Sequence, residues 1–165
     1  MLTVGAAAAI RCHDQTERSY HNRNPPMNAE RKRLVQDSWE AIARDHDRIA
    51  SAFYDRLFEI DAPARALFAK TNMVTQRVKF IEMLGEIVRN LDIPKELIPA
   101  VSALGRRHVD YGVRDIDYDR VREALFAALA QELGDRFTDE VRDAWEEGYA
   151  LTAGVMKRGA KTTHA

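Results

Sequence analysis

The stretch that decides the fold is IPAVSALGRRHV, residues 98–109. Ile98, Val101 and Leu104 recur every three residues, which places them along one side of an α-helix. His108 falls on the same side, four residues after Leu104. A histidine on a buried face is usually a core residue satisfied by hydrogen bonds, so its position alone assigns no function. The rest of the sequence must decide between a structural histidine and a ligand.

Length and composition indicate one globular domain. The chain has 165 residues, 45% hydrophobic and 31% charged, which suits a single core. A net charge of −1 gives no electrostatic reason to expect binding to nucleic acid or to an anionic membrane. Cys12 is the only cysteine, which argues against an internal disulfide and a cysteine-based zinc site. Neither a glycine-rich phosphate loop nor a stretch long enough to span a membrane is present.

Residues 1–27 are predicted to form a disordered leader. The apolar run VGAAAAI, residues 4–10, lacks the basic residues and the strongly hydrophobic core of a secretory signal. A polar segment follows and ends in Asn24-Pro25-Pro26. The domain itself is predicted over residues 28–157, with a frayed tail at 158–165.

From residue 28 onward the hydrophobic pattern is helical, and no sustained alternation indicates a strand. Asn28, Asp117 and Thr138 are the predicted N-caps of three helices. Pro94 opens the helix that carries the histidine. The sequence therefore predicts an all-α domain of six long helices and one short helix near residues 61–68, rather than a small up-down bundle.

Two further polar residues interrupt apolar helix faces. Tyr54 follows Phe53, and Gln76 lies between Met73 and Phe80. A buried polar side chain must find a partner or destabilise the fold. Each residue alone would bond to a backbone carbonyl, but Tyr54, Gln76 and His108 together suggest a shared cavity. The apolar residues expected around it, which suit a planar apolar cofactor, are Phe68, Phe80, Leu104 and Val113.

The order of these residues resembles that of the globin family, specifically the single-domain bacterial globins and the globin half of flavohaemoglobins. The resemblance covers about residues 28–156, and it implies a globin fold around a haem pocket. The matching residues are Phe53-Tyr54-x-x-Leu57-Phe58, Pro63, Leu67-Phe68, Gln76, His108-Val109-x-Tyr111-Gly112-Val113, Tyr118, Ala144-Trp145 and Tyr149.

The cofactor that the resemblance implies is haem b, iron protoporphyrin IX, with His108 as the only protein ligand to the iron. The Nδ1 proton of this histidine would be donated to the carbonyl of Leu104, one helical turn earlier. Lys79 and Arg107 are candidates to pair with the haem propionates, and a solvated charge is the alternative for each.

Tyr54 and Gln76 match the family's distal polar pair, and Phe68 matches its haem-packing phenylalanine. Hydrogen bonds from this pair would favour bound dioxygen over carbon monoxide. Phe80 stands where related sequences commonly have leucine, so a narrower pocket is expected.

A second departure concerns the support of the ligand histidine. In flavohaemoglobins a glutamate late in the last helix, linked to a tyrosine like Tyr118, supports that histidine. By register the glutamate position falls at Ala160, which implies a less electron-donating imidazole and argues against peroxidase-like chemistry. No counterpart of the flavohaemoglobin reductase half is expected in this sequence.

Three functions are compatible with these residues. The first is reversible binding of dioxygen, and of nitric oxide or carbon monoxide, at five-coordinate haem iron. The second is a nitric oxide dioxygenase that uses an external reductase, so enzymatic activity remains open. The third is a regulatory or haem-free globin module. A cytoplasmic monomer or homodimer is expected, with neither nucleic acid nor a membrane as partner.

Overall fold

The computed structural model describes residues 27–161 and shows only helices, turns and loops in that range. The predicted all-α class, with six long helices and one short one, is confirmed. Residues 1–26, which make up most of the predicted leader, lie outside the described residues, as do 162–165. The α-helices are α1 (Ala29–Ile42), α2 (His46–Ile60), α3 (Ala64–Leu67), α4 (Met73–Arg89), α5 (Pro94–Asp110), α6 (Asp115–Leu133) and α7 (Asp139–Lys161).

Two of the predicted N-caps are confirmed. The side-chain oxygen of Asn28 accepts a hydrogen bond from the backbone N–H of Arg31 at 2.8 Å. The hydroxyl of Thr138 accepts one from the backbone N–H of Val141 at 3.4 Å. Each cap satisfies a donor that the first turn of a helix otherwise leaves unpaired. α1 and α7 therefore begin where the sequence predicts.

The prediction of Asp117 as an N-cap is wrong. Helix α6 begins two residues earlier, at Asp115, and Arg114 is its N-cap. Asp117 lies in the first turn, and its carboxylate accepts a hydrogen bond from the backbone N–H of Arg114 at 2.8 Å. An acidic residue at this position reaches back to the cap, as in a capping box.

The described domain extends beyond both predicted boundaries. Met27, predicted to end the leader, is only 5% exposed and belongs to the core. Helix α7 continues to Lys161, past the predicted domain end at residue 157. Gly159 is buried near this end, so the last turn is packed against the domain. Among residues 27–161, no helix has the length and apolar character needed to cross a bilayer.

Buried apolar side chains form two clusters. The main core joins α1, α2, α4, α6 and α7 and is the larger, with Trp39, Phe53, Leu129 and Trp145 among its members. Burial of each such large side chain contributes roughly 1.5–3 kcal/mol to stability. The second core lies where α5 packs on α7, and its buried members are Ile87, Val101, Tyr118, Ala153, Val155 and Met156.

The packing of α5 on α7 requires glycine at two positions. A Cβ atom on Gly105 would lie 2.1 Å from the carbonyl oxygen of Met156, and one on Gly159 would lie 2.3 Å from that of Ser102. Any side chain at either position would therefore force the two backbones apart. Since α5 also carries His108, these glycines fix the position of the histidine relative to the second core.

Candidate functional site

Tyr54 projects from α2 into a group of aromatic rings. The residue is 5% exposed, and its hydroxyl oxygen accepts a hydrogen bond from the side-chain amide of Gln76 on α4 at 3.0 Å. Four phenylalanine rings lie around the tyrosine ring, with centroid distances between 4.9 and 5.9 Å: Phe53, Phe58, Phe68 and Phe80. The structure therefore brings together Tyr54, Gln76, Phe68 and Phe80, which we call the tyrosine wall.

Phe80 is held in this wall by Phe53. Their rings are stacked, with centroids 4.2 Å apart and an interplanar angle of 10°. Phe80 also contacts Tyr54, with ring centroids 5.7 Å apart. The sequence shows Phe53 only as the apolar neighbour of Tyr54 and does not reveal that it holds Phe80. No local signal could have shown it, because the contact joins α2 to α4.

The hydroxyl of Tyr54 keeps its own proton available. Burial raises the pKa of Tyr54, an effect that the hydrogen bond from Gln76 partly offsets. The phenol is therefore protonated at neutral pH. Because Gln76 donates to the oxygen, the O–H group itself is unused, and within residues 27–161 it meets no acceptor. A ligand next to this hydroxyl would receive a hydrogen bond.

His108 projects from α5 with its imidazole fixed by the backbone. Nδ1 lies 2.9 Å from the carbonyl oxygen of Leu104, which confirms the hydrogen bond predicted from the sequence. Burial lowers the pKa of His108, with a smaller contribution from the nearby charge of Arg107, although the Leu104 carbonyl acts in the opposite direction. The imidazole is therefore neutral, with Nδ1 as its donor. Nε2 forms no hydrogen bond with any residue of the described range.

Val113 is attached to the same histidine through the backbone. Its N–H donates to the carbonyl of His108 at 3.0 Å, and the chain reversal between them uses Gly112 at a φ of 79°. This left-handed conformation favours glycine. Leu104 and Val113 are both half-buried and pack on the second core. We call His108, Leu104 and Val113 the histidine wall.

The seven predicted site residues thus form two groups. No hydrogen bond or ring contact joins the tyrosine wall to the histidine wall within residues 27–161. Lys79 and Arg107, the candidates for propionate pairing, are both exposed. Neither has an ion-pair partner in the part of the chain that the structure describes. Their role toward a cofactor stays a prediction.

Near the end of α7, the chain departs from the family pattern that its sequence resembles, in which a glutamate supports the ligand histidine. Ala160 is half-buried and carries no carboxylate. The amine of Lys157 lies 5.0 Å from the ring centroid of Tyr118, and the hydroxyl of Tyr149 donates to the backbone carbonyl of Tyr118 at 2.6 Å. Burial raises the pKa of Tyr149 strongly, so this hydroxyl stays protonated.

The chain as a whole is similar to known proteins. The family model named Globin matches residues 51–156. The chain is 34% identical over 126 residues to a flavohemoprotein of Xylella fastidiosa (strain Temecula1), which covers 75% of this chain and 32% of that protein. It is 28% identical over 142 residues to anaerobic nitrite reductase AHB2 of Arabidopsis thaliana. The aligned region covers 78% of this chain and 90% of that protein.

The helical arrangement also matches a solved structure. An engineered carbene transferase from Rhodothermus marinus superposes with a TM-score of 0.75 at 25% identity, covering 84% of this chain and 96% of that one. By contrast, this chain spans about a third of the length of the flavohemoproteins that it matches. The similarity to those proteins is thus confined to one of their parts.

Proposed function

The chain belongs to the globin family, and from that premise we propose that it binds haem b with His108 as the protein ligand of the iron. The geometry of His108 carries the proposal. The Leu104 carbonyl fixes Nδ1 at 2.9 Å, and burial lowers the pKa of the ring. A neutral imidazole with an unused Nε2 lone pair is the form that coordinates a metal.

The apolar residues of the two walls suit the flat face of a porphyrin. Phe68 and Phe80 are half-buried beside the main core, and Leu104 and Val113 are half-buried beside the second core. Bound haem would supply an iron that a histidine and a diatomic gas can both coordinate. We expect the porphyrin to lie between the walls, with Lys79 and Arg107 near its propionates.

Tyr54 and Gln76 would act on the gas. The unused O–H of Tyr54 is a donor, and the bond from Gln76 to its oxygen at 3.0 Å orients it. A hydrogen bond to a charged acceptor contributes about 1.5–3 kcal/mol, roughly ten- to a hundredfold in affinity. Dioxygen draws more electron density from the iron than carbon monoxide does and would gain more. We therefore propose tight binding and slow release of dioxygen.

The absorption spectrum after addition of haem tests the proposal. Wild-type protein should bind one equivalent and show a strong haem band with five-coordinate ferrous iron. His108→Ala should lose that ferrous spectrum, and free imidazole should restore it by filling the space of the missing ring. Absence of haem uptake, or an unchanged spectrum in His108→Ala, would contradict the proposal.

A second candidate is a nitric oxide dioxygenase. Its reaction joins nitric oxide, dioxygen and one electron to give nitrate, so an external reductase must supply the electron. Similarity to a flavohemoprotein and the Tyr54–Gln76 pair favour it over a purely storage role. Tyr54 would hold dioxygen in place while nitric oxide reaches it.

Rapid mixing distinguishes the two functions. Oxygenated protein should consume nitric oxide and form nitrate stoichiometrically in either case. Sustained turnover with reduced pyridine nucleotide and a flavin reductase supports the enzyme, whereas a single turnover supports gas binding alone. The third possibility is a regulatory or haem-free module, and its haem-free form requires that the purified protein take up no haem at all.

A further inference from the structure

Four charged side chains form a continuous bridge that the proposed function does not use. The guanidinium of Arg120 on α6 donates to the carboxylate of Asp61 at 2.5 Å and to that of Asp117 at 3.3 Å. Asp117 in turn accepts two hydrogen bonds from the guanidinium of Arg114, at 3.0 and 3.2 Å. We call Asp61, Arg120, Asp117 and Arg114 the charged bridge.

The bridge is buried at its centre. The side chains of Asp61 and Asp117 are 4% and 12% exposed, and that of Arg120 is 33% exposed. Two carboxylates at such depth repel each other unless a cation lies between them. Arg120 fills that place, because one nitrogen of its guanidinium, Nη1, donates to both carboxylates. Removal of Arg120 would leave Asp61 without its charged partner.

One end of the bridge lies at the base of the tyrosine wall. Asp61 ends α2, where its backbone N–H donates to the carbonyl of Leu57 at 2.9 Å, and its own carbonyl accepts from Ala64 at the start of α3. Helix α3 leads within four residues to Phe68, whose ring contacts Tyr54 at 5.5 Å. The carboxylate of Asp61 therefore sits at the corner that positions Phe68.

The other end lies at the histidine wall. Arg114 directly follows Val113, which is bonded to the carbonyl of His108 at 3.0 Å. Both the backbone N–H and the guanidinium of Arg114 are held by the Asp117 carboxylate. The bridge thus begins one residue after Val113 of the histidine wall and ends at Asp61, seven residues before Phe68 of the tyrosine wall.

We propose that Arg120 is a positioning residue that sets the spacing of the two walls and so retains the porphyrin. This inference rests on the proposed function. Each wall ends in a loop or corner, and Arg120 links the carboxylate of Asp61 to that of Asp117, which holds Arg114. We expect haem release to require the two walls to separate, and such separation would break the contacts of Arg120. Its loss would therefore speed haem release and disturb the bond between His108 and the iron.

Haem transfer from the ferric holoprotein to an excess of a haem-scavenging apoprotein tests the inference. Arg120→Gln should release haem about tenfold faster, as expected for loss of a partly buried charged contact. Asp61→Asn, which keeps the shape of the side chain, should act in the same direction. Arg120→Lys, which keeps the charge, should restore much of the retention. The iron–histidine stretching band of the ferrous form should shift in Arg120→Gln.

Arg122→Gln is the matched control. Arg122 lies on the same helix and pairs with Glu146 on α7, and the two side chains are 45% and 33% exposed. Loss of such an exposed pair should change haem release by no more than about twofold. Urea unfolding of each apoprotein measures the effect on the fold itself.

The outcomes separate cleanly. Haem release from Arg120→Gln within about twofold of wild type would overturn the inference while leaving the proposed function intact. Faster release matched by an equal loss of apoprotein stability, with an unshifted iron–histidine band, would overturn it too. Failure of wild type to bind haem through His108 would instead overturn the proposed function and, with it, any role of Arg120 toward haem.

Discussion

The two walls of the site are held in place by different kinds of contact. In the histidine wall, His108 bonds to a carbonyl of its own helix, four residues earlier. In the tyrosine wall, Tyr54 and Gln76 are 22 residues apart and lie on different helices. The first contact forms whenever α5 forms, whereas the second depends on how α2 and α4 pack. The orientation of His108 is thus set within its own helix, whereas that of Tyr54 and Gln76 is set by the packing of α2 against α4.

The largest effect on stability should come from forcing α5 away from α7. Helix α5 carries His108 and Leu104 of the histidine wall, and its packing on α7 holds it in place. Gly105→Ala would place a Cβ atom 2.1 Å from the Met156 carbonyl oxygen. Overpacking against backbone should lower the free energy of unfolding by about 3 kcal/mol, measured by urea denaturation. Gly148→Ala on α7 is the control, because its Cβ would meet Met27 at 3.9 Å. Equal stability of Gly105→Ala and wild type would show that α5 and α7 are not in close contact.

Tyr54→Phe tests the tyrosine wall without disturbing its packing. Loss of the hydroxyl should speed dioxygen dissociation by roughly ten- to a hundredfold, with a much smaller change for carbon monoxide. Stopped-flow displacement measures both rates. Tyr149→Phe removes a hydroxyl whose partner is the Tyr118 carbonyl and should leave both rates unchanged. A Tyr54→Phe variant with the wild-type dioxygen rate would mean that this hydroxyl does not reach the gas.

Phe80→Leu tests whether ring packing in the tyrosine wall controls the entry of ligands. The substitution removes the stack on Phe53, which should cost about 1 kcal/mol of stability. It should also speed the association of a bulky alkyl isocyanide more than that of carbon monoxide, because a smaller side chain leaves more room.

Flash photolysis supplies the association rates for both ligands. Phe126→Leu is the control, since Phe126 contacts Phe137, a residue outside both walls. The same ratio of isocyanide to carbon monoxide rates in Phe80→Leu and wild type would show that Phe80 does not restrict entry.

The smallest effect concerns the pH dependence of the stability that Asp117 contributes through the charged bridge. Burial alone would raise the pKa of Asp117, but hydrogen bonds from Arg114 and the charges of Arg114 and Arg120 outweigh it, so the pKa is lowered. A lowered folded-state pKa gives stability that is present above the unfolded pKa, about 3.9, and is lost as the pH falls through the folded value.

Asp117→Asn should therefore be less stable than wild type at neutral pH, and the difference should shrink as the pH falls below about 4. Urea unfolding from pH 3 to 7 measures it, with Asp139→Asn, whose side chain is 89% exposed, as the control. A difference that grows on acidification would contradict the lowered pKa.

Contacts within one helix could be predicted from the sequence, and contacts between helices only in part. Spacing along α5 predicts the hydrogen bond of His108 to Leu104, because residues four apart share a helix face. Tyr54 and Gln76 stand out as polar interruptions, yet nothing local shows that they bond to each other. Their pairing follows from the crossing of α2 and α4.

The sequence does not predict the pairing of Arg120 with Asp61. The two residues lie 59 positions apart, and each is typical of an ordinary surface charge. The close approach at Gly105 was equally hidden, because a glycine inside a helix does not reveal what lies beside it. At Asp117 the local pattern misled, since both Asp115 and Asp117 suit the first turn of a helix and only the backbone shows which position each occupies.

The most direct test of the account is resonance Raman spectroscopy of the ferrous, ligand-free protein with ¹⁵N-labelled histidine. Wild type should show an iron–histidine stretching band that shifts on labelling, and His108→Ala should lack that band until imidazole is added. A label-sensitive band that persists in His108→Ala would assign the iron to another histidine and contradict the central claim.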